Sequence, residues 1–412
     1  LGWSKRLMRT PDFTGMPNLE YLSLEYCSDL EEVHHSLGCC RKLIRLDLRY
    51  CRSLKWFPCV NVESLEYLTV EDCSSLGKFP EIHGRMKPEI QIHMQGSGIR
   101  ELPSFISQYQ AHITDLDLRC MENLVALPSS ICRLKSLVSL SVWACQKLES
   151  LPEDIGDLEN LESLDASCTL VSRPPASIVC LKKLKILKFR GIERDGVHFE
   201  FPPVVGGLRS LEHLDLIYCN LTDGGLPEDI GSLSSLKELN LRGNHFEYLP
   251  RSIAQLGSLR YLNLKDCHRL TQLPELPPEL NELCVDFHMA LKFIHDLVTK
   301  RKKLQGVNLD DDDVYDTTYN LFAHALFQNI SSSRHDSSAS DSLSESVFTI
   351  WHHKNKIPSW FPYQGKDRSL SVNLPENWYI PDKFLGFAVS YSGRLIDATA
   401  QLIPACDTGY RG

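Results

Sequence analysis

The sequence predicts an α/β solenoid, a curved stack of parallel strands, followed by a C-terminal all-β sandwich. Three observations predict it. A leucine pattern recurs along most of the chain, with copies centred on Leu22, Leu46, Leu68, Leu140, Leu214 and Leu262 among others. Within each copy, as in "LEYLTV", Leu68 and Val70 alternate with polar neighbours, the signature of a half-buried strand. From Val347 the pattern gives way to short strand-like runs, "VFTIW", "SLSVNL" and "FLGFAVSY", parted by Pro, Gly and Asn.

The first element is the repeat itself. Alignment on L-x-x-L-x-L-x-x-C-x-x-L-x-x-L-P gives one register. Leu43, Leu46, Leu48, Cys51, Leu54 and Phe57 form one copy; Leu65, Leu68, Val70, Cys73, Leu76 and Phe79 the next; Leu137, Leu140, Val142, Cys145, Leu148 and Leu151 another. Looser copies surround Ile92–Met94 and Leu116–Leu118. Further strand cores fall at Leu22–Leu24, Leu164–Ala166, Leu187–Phe189, Leu214–Leu216, Leu239–Leu241, Leu262–Leu264 and Leu283–Val285. Successive copies lie 21 to 27 residues apart, the period of leucine-rich repeats. One coil cannot bury its apolar face alone, whereas stacked coils can. The strands should therefore line a concave face, about 55 Å long at roughly 4.8 Å per strand. Leu1, Ser4, Leu7 and Pro11 match Val70, Cys73, Leu76 and Pro80, so the chain is expected to start inside a repeat of a longer protein. The solenoid is assigned residues 1–287.

The recurring cysteine is next. Cys27, Cys51, Cys73, Cys145, Cys219 and Cys267 share one repeat position, which Asn244 and Thr169 fill elsewhere. Residues that interchange there are small and can hydrogen-bond strand-end backbone, so packing is favoured over disulfides. Among the chain's 15 cysteines no C-x-x-C occurs, which argues against a zinc site, and a stack of buried thiols implies a reducing compartment.

Residues 288–346 are expected to cap and then leave the solenoid. Leu291, Ile294, Leu297 and Val298 fit one face of a short helix ending at the basic Lys300–Lys303. The acidic "LDDDDVYD" and the Ser-rich stretch 331–346 predict a mobile linker. Residues 347–412 are assigned to the β-sandwich, expected to be incomplete because no closing strand is visible.

Several function classes are excluded. The net charge of -9 disfavours nucleic acid as the main partner. No apolar run reaches the length of a membrane span. There is no phosphate-binding glycine loop, nucleophile elbow or H-E-x-x-H motif, so no catalytic residue, cofactor or metal is proposed. The adjacent pairs His34-His35 and His352-His353 would point to opposite sides of a strand. The triplets beginning at Asn220 and Asn329 match glycosylation acceptors at the frequency chance allows.

What remains is a surface. Ser23, Asp47, Thr69, His93, Asp117, Ser141, Asp165, Lys188, Asp215, Asn240 and Asn263 form a small polar column between the inward leucines. Beside it runs a second column that includes Arg119, Trp143, Arg190, Ile217 and Arg242, with Tyr26, Tyr50 and Tyr218 one place later. Aromatic residues and arginine dominate the energetics of protein interfaces, so these eight are the candidate protein-binding residues.

The stretch "SKRLMRTPDFTGMPNLEYLSLEYC", the C-x-x-L-x-x-L-P coils, and the tail "IPSWFPYQG" with "SVNLPENWYIPDKFLGFAVSYS" resemble plant intracellular immune receptors. The subclass resembled joins a Toll/interleukin-receptor (TIR) domain, a nucleotide-binding domain and leucine-rich repeats. In the tail the resemblance rests on Ile357, Pro358, Trp360, Phe361, Leu374, Pro375, Trp378, Phe384, Leu385, Gly386 and Phe387, which match that family's post-repeat jelly-roll/Ig-like domain. The resemblance implies a cytoplasmic or nucleocytoplasmic sensor. Its repeats and tail would bind a pathogen effector or a guarded host protein, and would restrain the nucleotide-binding domain. It also implies NAD cleavage by a TIR domain, which this sequence does not contain. Two alternatives are an extracellular repeat receptor, which would carry paired cap cysteines and "GxIP" turns, and a non-immune binding scaffold.

Overall fold

The computed structural model describes residues 1–85, 87, 89–103, 113–191, 198–286 and 289, with the backbone of two further strands at 306–308 and 349–351. The chain winds as a solenoid whose three-residue strands stack in parallel. The first group is β1 (Tyr21–Ser23), β2 (Arg45–Asp47), β3 (Val60–Asn61), β4 (Tyr67–Thr69), β5 (Ile82–His83) and β6 (Gln91–His93). The second is β7 (Asp115–Asp117), β8 (Ser139–Ser141), β9 (Ser163–Asp165), β10 (Ile186–Lys188), β11 (His213–Asp215), β12 (Glu238–Asn240), β13 (Tyr261–Asn263) and β14 (Glu282–Cys284).

Strands β1, β2, β4 and β6 form one sheet, and β7 onward form another in chain order; β3 pairs with β5 on the opposite side of the coil. Every pairing is parallel and in register on the central residue, Leu22 to Leu46 and Leu187 to Leu214 for example. The amide of Gly96 donates to the carbonyl of Arg119, 2.8 Å away, across the step between the two sheets. All the strand cores expected from the leucine pattern are present.

Two more strands, β15 (Gly306–Asn308) and β16 (Thr349–Trp351), pair onto the end of the second sheet. They lie in the segments expected to hold the cap, linker and first sandwich strand. The rest of those segments, and the tail residues Ile357, Pro358, Trp360, Phe361, Trp378, Phe384 and Gly386, lie outside the described residues.

Alternation explains the core. In each strand the central residue points inward with the apolar residue two places on, so Leu46, Leu48, Leu68, Val70, Leu164 and Leu239 are completely buried. Each such side chain contributes about 1.5–3 kcal/mol on removal from water. The coil returns through a Leu-Pro turn. Pro128, Pro175 and Pro250 each precede a 3₁₀ turn, at Ser129–Arg133, Ala176–Cys180 and Arg251–Gln255. A proline fits there because its φ is already set and its missing N–H is not needed. The buried Ile131, Ile178 and Ile253 of these turns close the outer side of the core. The widest coil, between Leu187 and Leu214, fills its extra width with buried Phe199 and Phe201, whose rings follow Phe189 at 5.3 and 6.5 Å steps.

Candidate functional site

Most wall strands end in a shared device of up to three parts, and that device shapes the wall. First, the polar residue at the third strand position turns its side chain back onto the backbone two residues on. Asp47 accepts from the amide of Arg49, Asp117 from Arg119, Asp165 from Ser167, Asp215 from Ile217 and Asn263 from Lys265, all within 3.0–3.3 Å. Asp47, Thr69, Asp215 and Asn263 are buried. Much of the polar column that the sequence presented as surface therefore holds the strand ends together.

Second, the residue three places later adopts a left-handed backbone: Tyr26, Tyr50, Asp72, Gly96, Cys120, Ala144, Cys168, Tyr218, Gly243 and Asp266 all have φ between 51° and 68° or, at Gly243, 72°. The turn lets its amide reach the next coil, as when Tyr26 donates to Arg49 at 2.9 Å and Ala144 to Ser167 at 2.9 Å. The strain of a left-handed side chain is thus met by an inter-coil hydrogen bond in each repeat.

Third comes the cysteine. Its thiol donates to a carbonyl of the preceding coil: Cys51 to Leu24, Cys73 to Leu48 and Cys145 to Leu118, each at 3.1 Å, and Cys267 to Leu241 at 3.2 Å. Asn244 does the same job and more, donating to Leu216 of the preceding coil and to Leu241 of its own, and accepting from the amide of Leu221. Burial pushes the thiols of Cys145 and Cys267 up to about 12 and that of Cys219 higher still. Every cysteine among the described residues is a free thiol. The interchange of Cys, Asn and Thr at this position reflects backbone capping, and Thr169 donates to Ala166 at 2.8 Å in its own coil.

On this frame the candidate binding residues separate into groups. Trp143 projects: it is 40% exposed, flanked in its own strand end by Ser141 and Ala144 and across the next by Ser167. Arg119 is bound to Asp117 through both Nε and Nη2, at 2.9 and 2.7 Å. Arg190 reaches Asp215 at 2.8 Å and Arg242 reaches Asp266 at 2.6 Å. Ile217 is half-buried between them in the same column. The Tyr218 ring lies across Gly243, and its hydroxyl donates to Asp266 two coils away at 2.8 Å.

Tyr26 and Tyr50 are brought together with Trp3 as a stack, with ring centroids 4.2 and 4.3 Å apart. The sequence analysis missed Trp3, Tyr21 and the Arg45–Tyr67 pair, whose guanidinium sits 3.8 Å above the ring. Tyr21 is 63% exposed and occupies the first strand position; period-two alternation would have placed it on the wall.

Catalytic geometry is not met where it comes nearest. His34 Nδ1 lies 2.7 Å from Ser36 Oγ and 3.7 Å from Asp12. A triad needs the serine and the carboxylate on opposite ring nitrogens, whereas here one nitrogen faces both. Ser36 is buried and accepts the amide of Phe13 at 2.7 Å, which makes the group a structural cap. Among the described residues no group of three or more His, Cys, Asp or Glu side chains could hold a metal ion, and no helix is long and apolar enough to cross a membrane.

Comparison with known proteins agrees with this architecture. The Leucine Rich Repeat family matches residues 210–233 and 235–256, and the C-JID domain family matches residues 352–409, which include the tail positions singled out from sequence. The chain is 74% identical over 407 residues to TMV resistance protein N of Nicotiana glutinosa, covering 99% of this chain and 35% of that protein. It is 32% identical over 385 residues to Disease resistance-like protein DSC1 of Arabidopsis thaliana, covering 90% of this chain and 31% of that one. Among solved structures, the leucine-rich repeat domain of the type III effector XopL aligns with 24% identity and a TM-score of 0.39, over 50% of this chain and 71% of that one. The chain spans about a third of the length of the curated relatives it matches. A continuous leucine-rich solenoid, a C-JID tail and this degree of identity together make the chain a member of the leucine-rich-repeat disease resistance proteins.

Proposed function

We propose that this chain is the protein-recognition and restraint region of a plant immune receptor of the nucleotide-binding, leucine-rich-repeat class. Its partner is a pathogen effector or a host protein under guard, and in a longer parent its other contact is the nucleotide-binding domain. The observation that carries the proposal is Trp143. A large indole 40% exposed in the turn that closes the Ser139–Ser141 strand, with the small residues Ser141 and Ala144 beside it in sequence and Ser167 bonded to Ala144 in the next coil, is an uncompensated apolar surface in the chain as it stands. Contact with a partner removes it from water without reordering the wall, because the strand-end bonds already fix the backbone.

The cytoplasm is the compartment this reading requires, and the free, buried thiols support it. They disfavour the extracellular alternative, in which cysteines would be paired. The test is Trp143→Ala in the intact receptor. Response to the cognate pathogen and affinity for the partner should both fall at least about tenfold, as for a central interface aromatic. Thermal stability should stay unchanged. A receptor that responds normally with alanine at this position overturns the assignment.

A further inference from the structure

The wall arginines are of two kinds. Arg49 and Arg119 fold back on the aspartate two residues earlier in their own strand and use both Nε and Nη2 to do so. Arg190 and Arg242 instead reach forward to the next coil, and they bind Asp215 and Asp266 through Nε, at 2.8 and 2.6 Å. In these two pairs the carboxylate lies beneath and the guanidinium above. The side chains of Asp215 and Asp266 are 12% and 28% exposed, against 49% and 44% for Arg190 and Arg242. A guanidinium is planar and carries five N–H donors, so the Nε bond of Arg190 leaves its Nη1–Nη2 edge for an end-on carboxylate, and Arg242, which also meets the Tyr218 side chain, keeps donors beyond its Nε bond for the same use.

The surroundings are equally specific. Tyr218, seated over Gly243, donates to the same Asp266 oxygen and holds it in place for Arg242. Ile217 stands midway between the two arginines, as the amide bonds from Gly191 to Ile217 and from Tyr218 to Arg242 fix the register. Lys188 lies on the same face two residues before Arg190 and enters no ion pair among the described residues. Arg190, Arg242 and Lys188 thus present cationic groups around one apolar centre, while the exposed Glu238 at the start of β12 is paired with His213.

We infer that Arg190, Ile217 and Arg242 receive an acidic helix of a partner protein, laid across the strands. The two guanidinium groups are two strand spacings apart, about 10 Å. On a helix, residues i and i+7 are about 10.5 Å apart along one face, with i+3 or i+4 midway between them. An extended chain fits less well: its i and i+2 residues span only about 7 Å, and its i+3 residue points to the opposite side. The partner therefore carries Asp or Glu at i and i+7 and an aliphatic residue between them. This inference rests on the wall being a protein-binding surface.

The test uses the full 412-residue chain and short alanine-based helical peptides, measured by fluorescence anisotropy. One peptide carries Glu at i and i+7 with Leu at i+4; the controls replace both Glu by Gln or by Lys. The Glu peptide should bind at least about tenfold tighter than either control, with the preference shrinking in high salt. Arg190→Gln and Arg242→Gln should each remove the preference, and Arg119→Gln, whose fork is closed on Asp117, should leave it intact. Equal binding of the Glu and Gln peptides, no binding of any peptide, or an equal loss on Arg119→Gln overturns the inference. Tighter binding of a single-stranded RNA than of the Glu peptide also overturns it, in favour of a phosphate ligand. A receptor that ignores both arginine substitutions but fails with Trp143→Ala sinks the acidic helix alone and leaves the recognition function standing.

Discussion

The ring of Tyr218 covers Gly243 so closely that a β-carbon built on the glycine would run into two of its ring carbons. Gly243 also has a left-handed backbone, with φ of 72°. Gly243→Ala should therefore suffer twice, from strain and from displacement of Tyr218 off Asp266. Together these should cost about 2–4 kcal/mol. Gly224→Ala is the control. Its φ is 83°, yet nothing lies within 4 Å of the added carbon, so strain alone should cost about 1–2 kcal/mol. Chemical denaturation of the two variants checks the difference, and similar midpoints would show that Tyr218 is not locked in place.

The strand-end caps should rank by the number of bonds they make. Asn244→Ala leaves the carbonyls of Leu216 and Leu241 and the amide of Leu221 without their side-chain partner, and should cost about 2–4 kcal/mol. Cys267→Ala gives up the weak thiol hydrogen bonds to Leu241 and, at longer range, Lys265, together with the buried volume of the sulfur, and should cost about 1–2 kcal/mol. Denaturation midpoints in the reverse order would refute the capping role.

Thiol reactivity should follow burial. In the native protein, alkylation at mildly alkaline pH should label the exposed Cys39 and Cys180 first. Cys145 and Cys267, buried and held at about 12, should react only after unfolding. Mass mapping of labelled peptides before and after denaturation reads this directly. Early labelling of Cys145 would mean that the coils open locally.

Acid should loosen the wall before it melts the core. Burial pushes the Asp47 carboxyl up, but the bonds and charge of Arg49, helped by Arg45, outweigh it and hold it below the usual carboxylate range. Asp117 beside Arg119 and Asp266 beside Tyr218 and Arg242 are lowered against burial in the same way. A depressed folded-state value stabilises the protein above the unfolded value near 4 and loses that stabilisation as pH falls through the folded one. Stability should thus be level from neutrality down to about pH 5 and drop below about pH 4. Asp47→Asn should make the acid limb shallower, and an unchanged limb would remove Asp47 from the account.

Neighbouring residues of one strand should differ sharply. Leu140→Ala opens a hole in a completely buried position and should cost about 2–5 kcal/mol. Ser141→Ala, on the wall beside it, should stay within about 0.5 kcal/mol. Thermal melts of the two variants decide the matter.

The frame was legible because its signals are local. A leucine every two dozen residues and alternation within each strand were enough to place the wall strands, and the exchange of Cys51 for Asn244 in equivalent coils pointed to backbone capping. The site was only partly legible. Trp143 was found because it is large, apolar and at an outward position. That Asp47 and Asp215 would be turned under as caps, or that Arg190 would be half-engaged and Arg119 fully so, depends on which coil each side chain reaches. Tyr218 meeting Asp266 spans two coils, and no period within one repeat encodes it.

Inward and outward side chains alternate along the same three-residue strands, and every strand ends in bonds between main-chain groups or short polar caps. Substitutions on the outward positions can therefore accumulate without disturbing the stacking, so a lineage of such chains could drift rapidly in what it recognises while its shape stays constant.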